Sequence, residues 1–160
     1  MSRKGISKTR KVEPDTLYNN VLVAKIINAT MHDGKRNAAE KQIYQALEII
    51  KKDFPKETEI EVFLKALDNI KPKVEVRPRR IGGAVYQIPT PVRGNRQNSL
   101  AIRWLITAAR SRSNKQYHSF AQKFVAEITD ALNNSGAAVS KRVEVERMAD
   151  ANKAFAHLRW

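Results

Sequence analysis

The chain has 160 residues, of which 42% are hydrophobic, and its 30 lysines and arginines outnumber 16 acidic residues to give a net charge of +14. This length predicts one folded domain over residues 1–160, and the charge favours partners that are themselves negative. The absence of cysteine excludes disulfides and cysteine-ligated metals. The sequence shows no export signal and no run of ~20 apolar residues, so we expect a cytoplasmic protein without a membrane partner.

The first half of the chain predicts a basic arm followed by three helices. Residues 1–13 carry five cations and few apolar side chains, which is typical of a flexible arm that becomes ordered on a partner. Apolar residues at helical spacing then predict helices over residues 15–31 and 35–53. A third helix, extending to about residue 70, is predicted to start at a capping box formed by Thr58 and Glu61.

The pattern changes period after the third helix. Val74 and Val76 alternate with polar residues before Gly82 and Gly83, and a second β-rich run follows the two glycines. Two such runs predict a β-hairpin arm over residues 73–91 with the glycines at its tip. An isolated two-stranded hairpin is only marginally stable in water, so we expect this one to need support from a partner.

Helical spacing returns in the second half of the chain. Residues 93–98 lead into a fourth helix that reaches about residue 112, and a fifth helix is predicted from Ser113, which forms a capping-box pattern with Gln116. A looser helix follows to the C-terminus. The predicted fold class is therefore mainly α, a six-helix bundle-like domain with a hairpin protruding between the third and fourth helices.

The positive charge is concentrated in one part of the chain. No acidic residue occurs in the 51 positions between Glu75 and Glu127, a stretch that we call the acid-free window. Eight of the 14 arginines lie there. Arginine binds phosphate oxygens with a planar fork and stacks on bases, so this composition indicates a nucleic-acid surface. The cations of the window are Arg77, Arg79, Arg80, Arg93, Arg96, Arg103, Arg110, Arg112, Lys115 and Lys123.

Three arginines of the fourth helix are predicted to lie on one side of it. Arg96, Arg103 and Arg110 are spaced by seven residues, so they lie within about 40° of one another around the helix. Apolar residues fill most of the remaining helix surface, which predicts a buried helix with one positive strip. A membrane surface or an acidic protein is a weaker alternative, because a lipid-binding helix needs an apolar face that is free of packing.

Catalytic patterns are missing from the sequence. The three histidines, His32, His118 and His157, are scattered and none has metal-ligand spacing. No serine lies in a G-x-S-x-G elbow, and no glycine-rich phosphate loop is present. We therefore expect no enzymatic activity, no metal and no cofactor.

Four segments carry a resemblance to a known family. The run DGKR at 33–36, the segment KPKVEVRPRRIGGAVYQIPTPV at 71–92, the run RWLITAAR at 103–110 and the closing MADANKAFAHLRW at 148–160 resemble the small-subunit ribosomal protein seven family, bacterial type. The resemblance implies a six-helix fold with a protruding hairpin. It also implies a primary binder of small-subunit rRNA that nucleates the 3′ major (head) domain.

The resemblance further implies a place near the exit-site tRNA and the mRNA exit channel, with ribosomal proteins nine and eleven as neighbours. Some bacterial members of the family also repress translation of their own operon mRNA. The residues that we expect to approach tRNA are Arg80, Gly82, Gly83, Tyr86 and Trp160. The residues that we expect to bind rRNA are Arg3, Lys4, Lys8, Arg10, Lys11, Lys35, Arg36, Lys73, Arg77, Arg79, Arg80, Arg93, Arg96, Arg103, Arg110, Arg112, Lys115, Lys141 and Arg142.

Two other classes of protein remain open at this point. A helical DNA-binding regulator would place one recognition helix in the major groove and dimerise on symmetric half-sites. An RNA-processing enzyme would share the basic surface but would also need catalytic groups. Cations that are spread over an arm, a hairpin and several helices favour an irregular RNA surface over the DNA-binding regulator, and detectable RNA cleavage or modification by the purified protein would be needed to favour the enzyme.

Overall fold

The structure, a computed structural model, describes residues 12–159 of the chain. The predicted basic arm lies almost entirely outside the described residues, as does Trp160. The chain divides into two compact units, Met1–Glu40 and Lys41–Trp160. Among residues 12–159, no helix combines the length and the apolar character that a membrane crossing demands.

Six α-helices, a final 3-10 helix and one antiparallel hairpin make up the described fold, which confirms the predicted class. In chain order, the elements are α1 (Val21–Thr30), α2 (Arg36–Asp53), α3 (Glu59–Ile70), β1 (Val74–Ile81), β2 (Ala84–Pro91), α4 (Gly94–Ser111), α5 (Phe120–Leu132), α6 (Gly136–Ala151) and the 3-10 helix (Lys153–Leu158). The hairpin lies between α3 and α4, as predicted.

The first helix is shorter than the sequence predicted. Helix α1 begins at Val21 rather than near Asp15, because the Asp15 carboxylate accepts hydrogen bonds from the backbone N–H groups of Leu17 and Tyr18 and closes a turn. Asn20 caps the helix by accepting a hydrogen bond from the N–H of Leu22 at 2.8 Å. Aspartate competes for backbone donors in this way whenever a turn is available.

The fifth helix begins later than predicted. The same Ser-x-x-Gln pattern occurs twice, and the capping box forms at Ser119 and Gln122 rather than at Ser113 and Gln116. Ser113 instead accepts a hydrogen bond from the N–H of Lys115 within a turn. The third helix does begin at its predicted capping box, in which Thr58 and Glu61 bond each other's backbone N–H groups. The fourth helix begins at Gly94, inside its predicted lead-in.

The core of the second unit comes from one apolar face of each helix. Its largest fully buried side chains include Phe63 on α3, Leu105 on α4, and Phe124 and Ile128 on α5. Helix α3 packs against α4 and α5, and helix α6 contacts all three. Two polar side chains join these helices, because Asn69 donates to the Ala131 carbonyl and Arg142 donates to the Asn69 carbonyl.

The hairpin has a fixed register and a tight tip. Its strands pair from Val74 with Pro91 to Ile81 with Ala84, leaving a two-residue loop at Gly82 and Gly83. Both glycines have positive φ, 56° and 89°. A two-residue hairpin loop of this kind requires positive φ, and residues with a Cβ adopt it less readily than glycine.

The hairpin is supported by the chain's own C-terminal elements. Tyr86 of β2 lies against Phe155 of the 3-10 helix, with ring centroids 5.3 Å apart. The Glu146 carboxylate of α6 accepts a hydrogen bond from the N–H of Lys73 at the hairpin's base. The support that we expected from a partner is therefore supplied in part within the molecule.

Candidate nucleic-acid interface

The two acidic residues that bound the acid-free window are both buried. Glu75 is 7% exposed and Glu127 is 1% exposed, and each is bound by cations of the window. Their negative charge is therefore held inside the protein. Residues 76–126 therefore add cations but no carboxylate of their own to the protein surface.

Glu75 joins the hairpin to the first turn of α4. Its Oε1 accepts a hydrogen bond from Nε of Arg77 at 2.6 Å and forms an ion-pair contact with Nη2 of the same residue, also at 2.6 Å. Its Oε2 accepts a hydrogen bond from Nε of Arg96 at 3.1 Å. The arginine side chains nevertheless stay about half exposed, at 53% and 49%. Glu75 is a site residue that the sequence reasoning used only as a boundary, although its i, i+2 position on the strand predicts that it shares a face with Arg77.

Four other exposed arginines of the window have no internal partner among residues 12–159. Arg79, Arg80, Arg93 and Arg103 are exposed, and their side chains make no hydrogen bond or ion pair with other residues of 12–159. Arg103 lies on the predicted outer strip of α4. These guanidinium groups keep all their donors for an external acceptor.

Arg112 is held inside the protein, unlike the exposed arginines. Its side chain is 18% exposed, and its guanidinium donates to Glu127 Oε2 at 2.6 and 2.8 Å and also to Asp130. Burial lowers the pKa of Arg112, but its hydrogen bonds to Asp130 and Glu127 raise it more, so the net pKa lies above the ordinary value. The residue stays charged, and both of its ionic partners lie on α5.

The Arg112 cluster also organises the loop that carries Lys115. Arg112 lies over the Tyr117 ring at 5.7 Å, and the buried Lys123 ammonium donates to the Arg112 carbonyl at 2.6 Å and to Asn114 at 2.5 Å. Lys115 itself is exposed and makes no side-chain bond to another described residue. Two predicted cations of the window, Arg112 and Lys123, thus hold the loop in place.

The other predicted residues are distributed as follows. In the first unit Lys35 is exposed, while Arg36 donates to Glu40 at 2.7 Å and to Asn28 at 3.2 Å. In the second unit Lys73 is exposed, Lys141 pairs with Glu144 and Arg110 is exposed on α4. Arg142 is half-buried and is used to join helices. Arg3, Lys4, Lys8, Arg10 and Lys11 lie outside the described residues.

The predicted tRNA-proximal residues of the hairpin differ in their exposure. Arg80, Gly82 and Gly83 are exposed at or beside its tip, whereas Tyr86 is half-buried against the 3-10 helix. The tip is therefore open to a partner, whereas the Tyr86 ring already contacts Phe155. No group of three or more histidine and acidic side chains within residues 12–159 is arranged to hold a metal ion.

Comparison with known proteins agrees with the resemblance read from the sequence. The family model described as ribosomal protein S7p/S5e matches residues 2–153. The small ribosomal subunit protein uS7 of Colwellia psychrerythraea is 51% identical over 160 residues, which is 100% of each chain, and that of Caldanaerobacter subterraneus subsp. tengcongensis matches equally. The uS7 protein of Thermosipho africanus is 48% identical over 158 residues, 99% of each chain. The chain therefore belongs to the ribosomal protein S7p/S5e family.

Proposed function

We propose that this chain is a structural constituent of the small ribosomal subunit that binds the 3′ major domain of the rRNA directly and nucleates the assembly of the head. The observation that carries the proposal is the set of exposed arginines, Arg79, Arg80, Arg93 and Arg103, with no internal acceptor among residues 12–159. Membership of a ribosomal protein family supports it.

The mechanism is a rigid positive support for crowded RNA strands. Helix α4 is buried at Leu105 and Ala109 but exposed at Arg103, so its position is fixed while its cation remains accessible. Strands of RNA that converge on such a surface repel one another less, because the guanidinium groups neutralise phosphate charge between them. A junction that otherwise samples many arrangements is thereby captured in one.

Within this function the candidate residues have two different roles. Exposed cations such as Arg79, Arg80 and Lys115 contact phosphate, and the basic arm adds contacts of its own. Arg112 and Arg142 act through the fold, because their hydrogen bonds go to carboxylates or carbonyls of the protein. Their loss is expected to reduce binding only to the extent that it disturbs the structure.

The hairpin tip is proposed to approach the exit-site tRNA near the mRNA exit channel, with ribosomal proteins nine and eleven as neighbours in the cytoplasmic ribosome. Deletion of residues 80–84 is the test of the tip's role. We expect the shortened protein to assemble into subunits that release exit-site tRNA abnormally or lose reading frame. Normal tRNA release and normal frame maintenance in assembled ribosomes would contradict this role.

Nuclease protection of small-subunit rRNA by the purified protein tests rRNA binding. If 7 to 10 phosphates are contacted, affinity should fall by several powers of ten between 50 and 200 mM salt. The triple variant in which Arg79, Arg80 and Arg103 are all replaced by alanine is expected to protect rRNA less. The slope of log affinity against log salt should also become shallower by about 2 to 3.

The matched control removes the same charge elsewhere in the second unit. Lys41, Lys51 and Lys52 are exposed on α2, outside the acid-free window, and their triple alanine variant should protect rRNA as the unchanged protein does. Equal loss in both variants would indicate nonspecific attraction and contradict the proposed surface. A palindromic footprint on duplex DNA, without rRNA protection, would instead favour the DNA-binding regulator.

A further inference from the structure

A buried carboxylate lies in the middle of the proposed RNA surface. Glu75 is 7% exposed, yet it lies on β1, which also carries Arg77, Arg79 and Arg80. Each of its oxygens binds a different arginine, Oε1 that of Arg77 and Oε2 that of Arg96. A charge this buried is tolerated only with such partners, so the three side chains form one unit.

The two arginines reach the carboxylate from different elements. Arg77 comes from β1 and Arg96 from the first turn of α4, so the contact fixes one guanidinium relative to the other across 19 residues of chain. Each guanidinium has five N–H donors. Glu75 takes two nitrogens of Arg77 and one of Arg96, which leaves donors on both for another acceptor.

We propose that Arg77 and Arg96 together bind one phosphate of the RNA backbone and that Glu75 is the positioning residue of this site. The inference rests on the RNA-binding function proposed above. Arginine side chains lose rotamer freedom when they bind a ligand, and side chains already held in place lose less. Two planar forks on one phosphate match its several acceptor oxygens.

A positioning role and a purely electrostatic role for Glu75 predict opposite effects on RNA affinity. If attraction to RNA depended on charge alone, Glu75 would weaken binding, because it cancels one of the two positive charges beside it. Removing its charge while keeping its shape would then strengthen binding. If Glu75 positions the arginines, the same change releases them and weakens binding even though the protein becomes more positive.

The test measures the affinity of the full-length protein for a 3′ major domain rRNA fragment as a function of salt. Glu75→Gln is expected to lower affinity about 3- to 10-fold, from the rotamer freedom that one or two arginines regain. The control Glu57→Gln makes the same charge change in the exposed Lys65–Glu57 pair and should leave affinity unchanged or slightly higher. Tighter binding by Glu75→Gln would overturn the inference.

A second variant keeps the test valid if the first one is unstable. The double variant Arg77→Lys and Arg96→Lys retains both charges and can still pair with Glu75, but it removes the planar forks. We expect weaker binding at temperatures where its circular dichroism equals that of the unchanged protein. Unchanged affinity would overturn the inference.

The salt dependence shows how many phosphates are involved. The double alanine variant of Arg77 and Arg96 should reduce the slope of log affinity against log salt by about one, since the two residues share a single phosphate. A reduction of about two would indicate separate phosphates and overturn the shared site. Failure of the unchanged protein to bind the rRNA fragment would instead refute the proposed function itself, so the two failures are distinguishable.

Discussion

Arg112 provides the sharpest test of how this protein uses its cations. Replacing it with alanine leaves Glu127, which is 1% exposed, with one hydrogen-bond donor among residues 12–159, the N–H of Ala138 at 2.9 Å. Removing one partner of a buried ion pair costs about 3–5 kcal/mol. Because Arg112 is itself 18% exposed and water can reach its place, we expect the lower end, about 3 kcal/mol.

Thermal unfolding followed by circular dichroism measures this loss. For a chain of this size, a loss of 3 kcal/mol lowers Tm by about 6–12 °C. The control Arg103→Ala removes an exposed arginine from the same helix and should change the free energy of unfolding by no more than about 0.5 kcal/mol. Replacing Arg112 with Met and Glu127 with Gln together removes both charges and should recover at least half of the lost stability.

The result also separates an internal role for Arg112 from direct RNA contact. If Arg112 acts through the fold, the salt dependence of rRNA binding by Arg112→Ala, measured well below its Tm, should keep the slope of the unchanged protein. A decrease in Tm of less than 2 °C together with a shallower salt slope would contradict an internal role, because Arg112 would then bind RNA rather than the buried carboxylate.

Three further predictions concern the fold. Gly136→Ala should destabilise the protein by about 2 kcal/mol in urea unfolding, because φ is +90° and a Cβ would lie 2.9 Å from a buried carboxylate oxygen. The control Gly94→Ala should be nearly neutral, since the space around Gly94 is open. Phe155→Ala should increase amide hydrogen exchange in strand β2, and unchanged exchange would contradict the support described for the hairpin. Ser119→Ala should cost about 1 kcal/mol and Ser113→Ala much less, with Tm as the measurement, since only Ser119 caps a helix.

Local signals in the sequence predicted most element types and some boundaries. The capping box at Thr58 and the glycine pair at the hairpin tip each depend on residues a few positions apart, and both appear in the structure as predicted. Helix α6 was predicted only as a looser element, because its apolar spacing is weak and much of one side stays exposed, as at Val143. Its course is set by contacts with distant elements.

At two positions the sequence allows two alternative local structures and does not indicate which one forms. Ser113 and Ser119 both begin a Ser-x-x-Gln pattern, and α5 starts at the second, where Ala121 can be fully buried and donate its N–H to Gln42. Asp15 could cap a helix or close a turn, and its carboxylate closes a turn by accepting from the N–H groups of Leu17 and Tyr18. A long-range contact accompanies the choice at Ser119, whereas at Asp15 a local turn competes with the helix for the same backbone donors.

Composition and local periodicity are enough to identify a mainly helical chain with an arginine-rich stretch that lacks acids. Which of those arginines are available to a partner depends on the folded arrangement. Arg112 meets Glu127 fifteen residues away and Arg96 meets Glu75 across twenty-one, whereas Arg103 meets no acid among the described residues. The difference arises because the electrostatic partner of a charge is set by distance in space, and the chain fixes that distance only when it folds.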